Sequence, residues 1–501
     1  MTALPWPKMP ARLVARMLSG HTALGLALSA LLYIVCLSGT LVVFHNEFSR
    51  WEQPGVTEIE AVTPQTVQTL LENVLGRLEG TPDQVTLVLP TPDVPRLVAG
   101  AGEDYWVAEA DGTLGEAVAH PFSEFLVTLH MYLHLPAVAG ITLVGLLGVM
   151  MLGLVLTGFL AHPRIFRDAF QFRRGKSARL GETDLHNRLS VWAAPFHITI
   201  ALTGALLGLA TIGAYALALV FHDGDFEAVF PPIFGGETET GPAPAPDGVA
   251  DVATAYRNFQ AERPDLAAWL IYVNGPGTEA QNIEILTQVP GQLAYFDGVQ
   301  FDAAGTMIGA TGMSDGEAGQ NMAAAVYSLH FGWFGGLPVK LAYLALGLAL
   351  TTVCASGFTL WLIKRREKGR PSPRLERAWI AVVWGAPAVL AATMLGALSG
   401  VMAEAVLIPF HWLALAGLIV LAMLFGSARH WSRALRLAAG TLTLAALAVH
   451  HAVNAANYQG EASWGVSAGL AVTALILLAS TRPWTWRPAR DETPASAVQT
   501  G

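Results

Sequence analysis

Fourteen histidines lie in a chain of 501 residues that is 53% hydrophobic and only 13% charged, and they are its best-placed groups for chemistry. An imidazole in hydrocarbon is costly unless it meets a partner, a cavity or a metal, so each histidine at membrane depth is a functional candidate. Sorted by depth along the apolar segments they form two layers: His21, His162, His186 and His197 toward one face, and His45, His130, His134, His222 and His330 toward the other. His21 and His45 are 24 residues apart, about 36 Å on one helix, so no single metal takes both. His130 and His134, four apart, share one face of a continuous helix, as do His186 and His197, eleven apart. Neutral imidazole is a common axial ligand of haem iron, and helix bundles hold cofactors between facing helices. Two layers therefore suit two non-covalent b-type haems, since no CxxCH attachment sequence is present. The expected inner site draws on His21 with His186 or His197, the outer on His330 with His130, His134 or His45. A zinc site would recruit Cys or carboxylate, and no such cluster accompanies these imidazoles. His120, His162 and His222 read as loop or span-end residues, and His411, His430, His450 and His451 as structural.

The elements that must carry these residues are membrane spans. Mean hydropathy is +0.45, and this balance excludes both a soluble globular enzyme and a disordered chain. A formal charge of −9, with no basic block interleaved with aromatics, excludes nucleic acid as a partner. Cys36 and Cys354 lie in apolar runs and supply neither a disulfide framework nor a CxxC pair. Apolar stretches long enough to cross a bilayer run from His21 to Phe44, Ala137 to Ala161, Val191 to Phe221, Pro338 to Ile363, Ala378 to Leu398, Val401 to Phe425, Leu435 to Val453 and Trp464 to Ser480, eight in all. Arg164, Arg167, Arg173, Arg174, Lys176, Arg179 and Arg188 place the loop between spans two and three in the cytoplasm. Lys364, Arg365, Arg366, Lys368 and Arg370 do so for the loop after span four. Lys8, Arg12 and Arg16 put the N-terminus on that side, and Arg482, Arg487 and Arg490 the C-terminus.

The expected fold is an all-α polytopic membrane protein with a four-helix haem-binding core and two small periplasmic α+β inserts. Residues 1–45 form the N-terminus and first span, 46–129 the first insert, 130–221 spans two and three, 222–329 the second insert, 330–366 span four, 367–482 four accessory spans and 483–501 a cytoplasmic tail. Each insert reads as a helix followed by strands. In the first these are Pro64 to Leu78, then Val85 to Leu89, Arg96 to Ala99 and Tyr105 to Ala110. After a Pro-rich linker from Gly241 to Asp247, the second has a helix from Val249 to Ala261 and strands at Trp269 to Val273, Ile283 to Gln288 and Leu293 to Asp297, with a turn at Ala304-Gly305. The repeated order predicts an internal duplication.

The segments LHMYLHLP, TGFLAHPRIFRDAFQFRRG, DLHNRLSVWAAPFHITIALTGA and SLHFGWFGG, followed by a span ending ASGFTLWLIKRR, resemble the PepSY-associated transmembrane family. The opening SGHTALGLALSALLYIVCLSGTLVVFHNE resembles its first span, and the resemblance covers roughly residues 10 to 366. Within the family the chain most resembles the haem-containing inner-membrane reductases of siderophore iron uptake. The resemblance implies two extracytoplasmic PepSY domains and maps the family histidines onto His21, His130, His134, His186, His197 and His330, with His45 matching by depth. The chain departs from the usual HRWLGL wording in having HTALGL, without the basic residue after the histidine. The function implied is a di-haem b conduit that takes electrons from a cytoplasmic or membrane donor and reduces a ferric siderophore, or another Fe(III) chelate, in the periplasm. The rivals are a non-redox module regulating a peptidase or envelope protein, and a haem conduit to another periplasmic acceptor. No Gly-rich dinucleotide fingerprint is found, so the donor is expected to be a separate molecule.

Overall fold

The computed structural model describes residues 9–162, 169–170, 177–229, 248–289, 292–293, 296–312, 314, 317–458 and 460–481. Lys8, Arg164, Arg167, Arg173, Arg174, Lys176, the linker from Gly241 to Asp247, and Arg482, Arg487 and Arg490 lie outside the described residues.

Among the described residues, eight helices are long and apolar enough to cross a membrane. They are α1 (Ala11–Val42), α5 (Ala137–Ala161), α7 (Ala194–Phe221), α10 (Gly336–Glu367), α11 (Pro373–Leu398), α12 (Glu404–Leu424), α13 (Ala428–Val453) and α14 (Glu461–Ser480). The first begins before His21 rather than at it, so His21 lies inside a helix. Shorter helices stand between them: α2 (His45–Glu52), α3 (Pro64–Arg77), α4 (Pro121–Tyr132), α6 (Ala178–Trp192), α8 (Val252–Glu262) and α9 (Ala318–Phe331). In the first bundle α1 packs on α10 and α5, and α5 on α7. Gly145 and Gly208 let α5 and α7 approach until a Cβ on either would fall within 3 Å of the other's backbone, the small-residue contact by which membrane helices pack closely. The second bundle is built around α11, which packs on α13 and α12.

Two helices expected to be continuous are broken, and proline explains both. Leu133 and His134 take left-handed conformations (φ 52° and 56°) between α4 and α5. Pro136 precedes α5 and disfavours helical backbone at Leu135. His130 and His134 therefore do not share a helical face. Likewise α6 ends at Trp192 and α7 starts at Ala194 with Pro195 in its first turn, so His186 and His197 are on different helices.

The two inserts do not form two separate sheets. Strands β1 (Gln84–Val88), β2 (Leu97–Ala101), β3 (Asp104–Ala108) and β4 (Leu114–Ala117) join β5 (Ala267–Asn274), β6 (Asn282–Gln288), β7 (Asp297–Asp302) and β8 (Met307–Gly312) in one eight-stranded sheet, order β4-β3-β2-β1-β5-β6-β7-β8. The seam is antiparallel pairing of β1 with β5, Val85 opposite Val273 and Leu87 opposite Ile271. Alternation sends these four side chains to the face covered by α3 and α8, where they meet Leu70, Leu71, Val74 and Phe259 in one fully buried cluster. Truncating one of them, Leu87 to Ala, costs about 2–5 kcal/mol. Strands β4 and β8 were not expected from the sequence, and the strand predicted at Leu293 to Asp297 instead begins at Asp297. The expected turn at Ala304-Gly305 joins β7 to β8, where Gly305 has φ +80°.

Candidate functional site

Four of the expected histidines come together as two pairs. His21 on α1 faces His186 on α6 with ring centres 6.4 Å apart. His130 on α4 and His330 on α9 have ring centres 6.2 Å apart. Their hydrogen bonds determine which nitrogen is free. Nδ1 of His130 meets the Val35 carbonyl at 3.0 Å and Nδ1 of His21 the Leu154 carbonyl at 3.0 Å. A carbonyl can only accept, so both Nδ1 atoms carry hydrogen. His186 Nδ1 lies 2.9 Å from the Ser356 hydroxyl, and His330 Nδ1 2.9 Å from that of Thr203. Ser356 donates its proton to the Val353 carbonyl and Thr203 donates to the Thr199 carbonyl, so these hydroxyls accept from the imidazoles. All four rings are thereby held with Nε2 as the lone-pair nitrogen, the form in which imidazole binds a metal.

Each of the four rings also rests on a glycine. A Cβ on Gly39 would sit 2.5 Å from Cε1 of His130, on Gly204 2.9 Å from Cε1 of His330, on Gly158 3.2 Å from Cε1 of His21, and on Gly357 3.4 Å from Cε1 of His186. The arrangement follows the duplication. His21 lies on a glycine of α5 and its partner His186 on a glycine of α10, while His130 lies on α1 and His330 on α7. Gly39 is 18 residues beyond His21 on α1, so the two pairs are separated by about 27 Å along that helix axis.

The spacing within each pair fits a metal held between two imidazoles. Imidazoles on opposite sides of one metal, with bonds of about 2 Å, have ring centres about 6.4 Å apart. Between α1, α5, α7 and α10 lies a cavity of about 140 Å³ with almost wholly apolar walls, lined by His130 and His330 together with Leu32, Leu147 and Tyr343. Among the described residues, no three His, Cys, Asp or Glu groups are placed to cage a bare metal ion.

The remaining expected residues lie elsewhere. His134 uses both nitrogens, Nε2 donating to the Phe125 carbonyl and Nδ1 accepting from Trp412, so it ties α4 to α12. His197 is 1% exposed and its Nε2 has no hydrogen-bond partner. His45 lies beside His120, ring centres 6.4 Å apart, rather than beside His330. From the sequence alone His120 is a loop residue. The only cue was the carboxylate at Glu124, four residues on, whose Oε1 lies 3.0 Å from Nε2 of His120 and whose pKa that hydrogen bond holds below the usual carboxylate range. His411 bonds Thr393, and His450 bonds the Trp51 carbonyl while stacking on its ring at 4.1 Å. Two further buried polar contacts stand out. Lys340, 2% exposed, pairs with Glu47 at 2.6 Å, and the Sγ atoms of Cys36 and Cys354 are 3.9 Å apart.

Eight helices of membrane-crossing length among the described residues, a two-fold bundle with paired imidazoles and a sheet domain at one end define a multi-pass membrane protein of duplicated architecture. The chain belongs to the PepSY-associated TM region family, whose model matches residues 18–364. The match ends within α10, so α11 to α14 lie beyond it. A Pseudomonas aeruginosa relative, the uncharacterized protein PA4219, is 30% identical over 288 residues, covering 54% of this chain and 72% of its own.

Proposed function

We propose that the chain is a di-haem b protein of the bacterial inner membrane. It takes electrons from a cytoplasmic or membrane donor and reduces an Fe(III) chelate, a ferric siderophore, on the periplasmic side, where the sheet domain stands. The observation that carries this reading is the pairing of His21 with His186 and of His130 with His330 at two depths, each ring on a glycine and each with Nε2 free. Bound haem supplies reversible one-electron chemistry, for which no acid-base dyad or nucleophile is required.

The protein's own groups position that chemistry. The Val35 and Leu154 carbonyls and the Ser356 and Thr203 hydroxyls fix the tautomer and the ring plane of each ligand. Gly39, Gly204, Gly158 and Gly357 let each imidazole lie against a neighbouring helix. Apolar side chains such as Leu32 and Leu147 keep water from the outer site. Reduction releases iron because hard oxygen ligands hold Fe(II) less tightly than the more highly charged Fe(III). In this orientation the basic residues Lys364, Arg365 and Arg366, at the end of α10, face the cytoplasm.

The test is pyridine haemochrome analysis of the purified chain, with about two haems b per chain expected and α bands that respond to dithionite. A folded preparation with no haem would refute the proposal and favour a non-redox module in which the sheet domain binds a peptidase or envelope protein.

A further inference from the structure

A third histidine pair lies outside both haem sites. His45 opens α2 and His120 directly precedes α4, and their ring centres are 6.4 Å apart with planes at 79°. The spacing again matches two imidazoles on opposite sides of one metal bonded at about 2 Å. Each ring has one nitrogen engaged. His45 Nδ1 lies 3.0 Å from Asn46 Oδ1, which leaves Nε2 as its lone-pair nitrogen. His120 Nε2 donates to Glu124, which leaves Nδ1. A carboxylate behind a metal-binding imidazole, raising its basicity and holding its plane, is the usual support of a histidine ligand. The pair also breaks the two-fold. Each haem-site pair takes one histidine from each half of the duplication, whereas His45 and His120 belong to the same half. In the second half the residue before α9 is Glu317, engaged in a capping box with Gln320. The third pair is thus not a by-product of the repeat.

We infer that His45 and His120 form an exchangeable site for a divalent first-row transition cation, with Glu124 positioning His120. Among the described residues no third His, Cys, Asp or Glu completes a cage, so water fills the remaining coordination positions, the pattern of an open site rather than a structural one. The site is also reachable: the side chain of Glu124 is 54% exposed and that of His120 17%. It lies at the sheet end of the bundle, where the proposed reaction delivers Fe(II), and imidazole with water suits that ion. The identity of the cation as iron rests on the reduction reading; the existence of the site does not.

The experiment is equilibrium dialysis of the full chain, purified in detergent without a histidine tag and stripped with EDTA, against Zn(II) alone and, under argon, Fe(II) alone. The wild type is expected to bind one more cation per chain than His45→Ala or His120→Ala, and Glu124→Gln to bind it about 10–100-fold more weakly. Haem content and the α band of all three variants are expected to equal those of the wild type. Equal cation binding by the wild type and both histidine variants would overturn the inference, as would the loss of one haem per chain in both, which would make the pair a haem site. Loss of Zn(II) binding in both variants supports the site even if the wild-type chain reduces no ferric chelate. In that event the reduction reading fails and the iron assignment with it.

Discussion

Replacing Gly39 by alanine puts the cradle of the outer pair to the test. The added Cβ would lie 2.5 Å from Cε1 and 2.9 Å from Nδ1 of His130, against 3.4 Å for ordinary contact. The ring must retreat by about 0.9 Å, whereas metal–ligand distances tolerate about 0.2 Å. His130 then either leaves its partner or breaks the hydrogen bond to Val35. The same substitution should matter less at the other sites in the order of their contacts: 2.9 Å at Gly204, 3.2 Å at Gly158 and 3.4 Å at Gly357. Gly153 on α5, with nothing within 4 Å, is the control for alanine in a span. Haem per chain by pyridine haemochrome, with dithionite-minus-oxidised spectra, reads the result. Gly39→Ala should lose about one of two haems, while Gly357→Ala and Gly153→Ala keep both. A folded Gly39→Ala chain with wild-type haem content and spectrum would refute the cradle argument.

Three further predictions concern the frame. Glu47→Ala strands the Lys340 ammonium in a buried position and should cost about 3–5 kcal/mol in denaturant or thermal unfolding. The double variant Glu47→Leu with Lys340→Met should recover most of that loss, because it removes both charges. Glu52 accepts hydrogen bonds from the backbone of Phe122 and Ser123, yet burial raises its pKa above the ordinary 4.5 despite those bonds. Its contribution to stability is therefore fully present below pH 4.5 and is lost as pH rises through the raised value. Glu52→Gln, which cannot ionise, should show a flatter stability profile across that window. Finally, a reporter fused at Gly248 should be active only in the periplasm and one at Gly369 only in the cytoplasm, and the reverse pattern would exchange the donor and acceptor sides.

The spans were legible because a run of about 20 apolar residues has few alternatives, and the layering of histidines followed from their places along those runs. The pairing within each layer was not. His130 and His134 looked equivalent by spacing, but Leu135-Pro136 breaks the helix and sends His134 to Trp412. Pro195 separates His197 from His186 in the same way. Both prolines were visible in the sequence, but which imidazole keeps a free Nε2 depends on acceptors supplied by other helices, such as Val35 and Thr203. The single sheet was hidden for a related reason. Its seam joins strands 190 residues apart, and the short, Gly- and Ala-containing β4 and β8 carry little strand signal of their own. The pairing of His120 with His45 has no local signal, because the two lie 75 residues apart in sequence.

Capture of Fe(II) with ferrozine reads the proposed electron path from donor to chelate. A ferric siderophore is the acceptor, and wild type is compared with His330→Ala at equal protein and equal inner-haem content. Ferric reduction is expected in the wild type and its sharp loss in the variant, whose inner haem remains reducible from the cytoplasmic side. Equal Fe(II) production by the two would contradict that path.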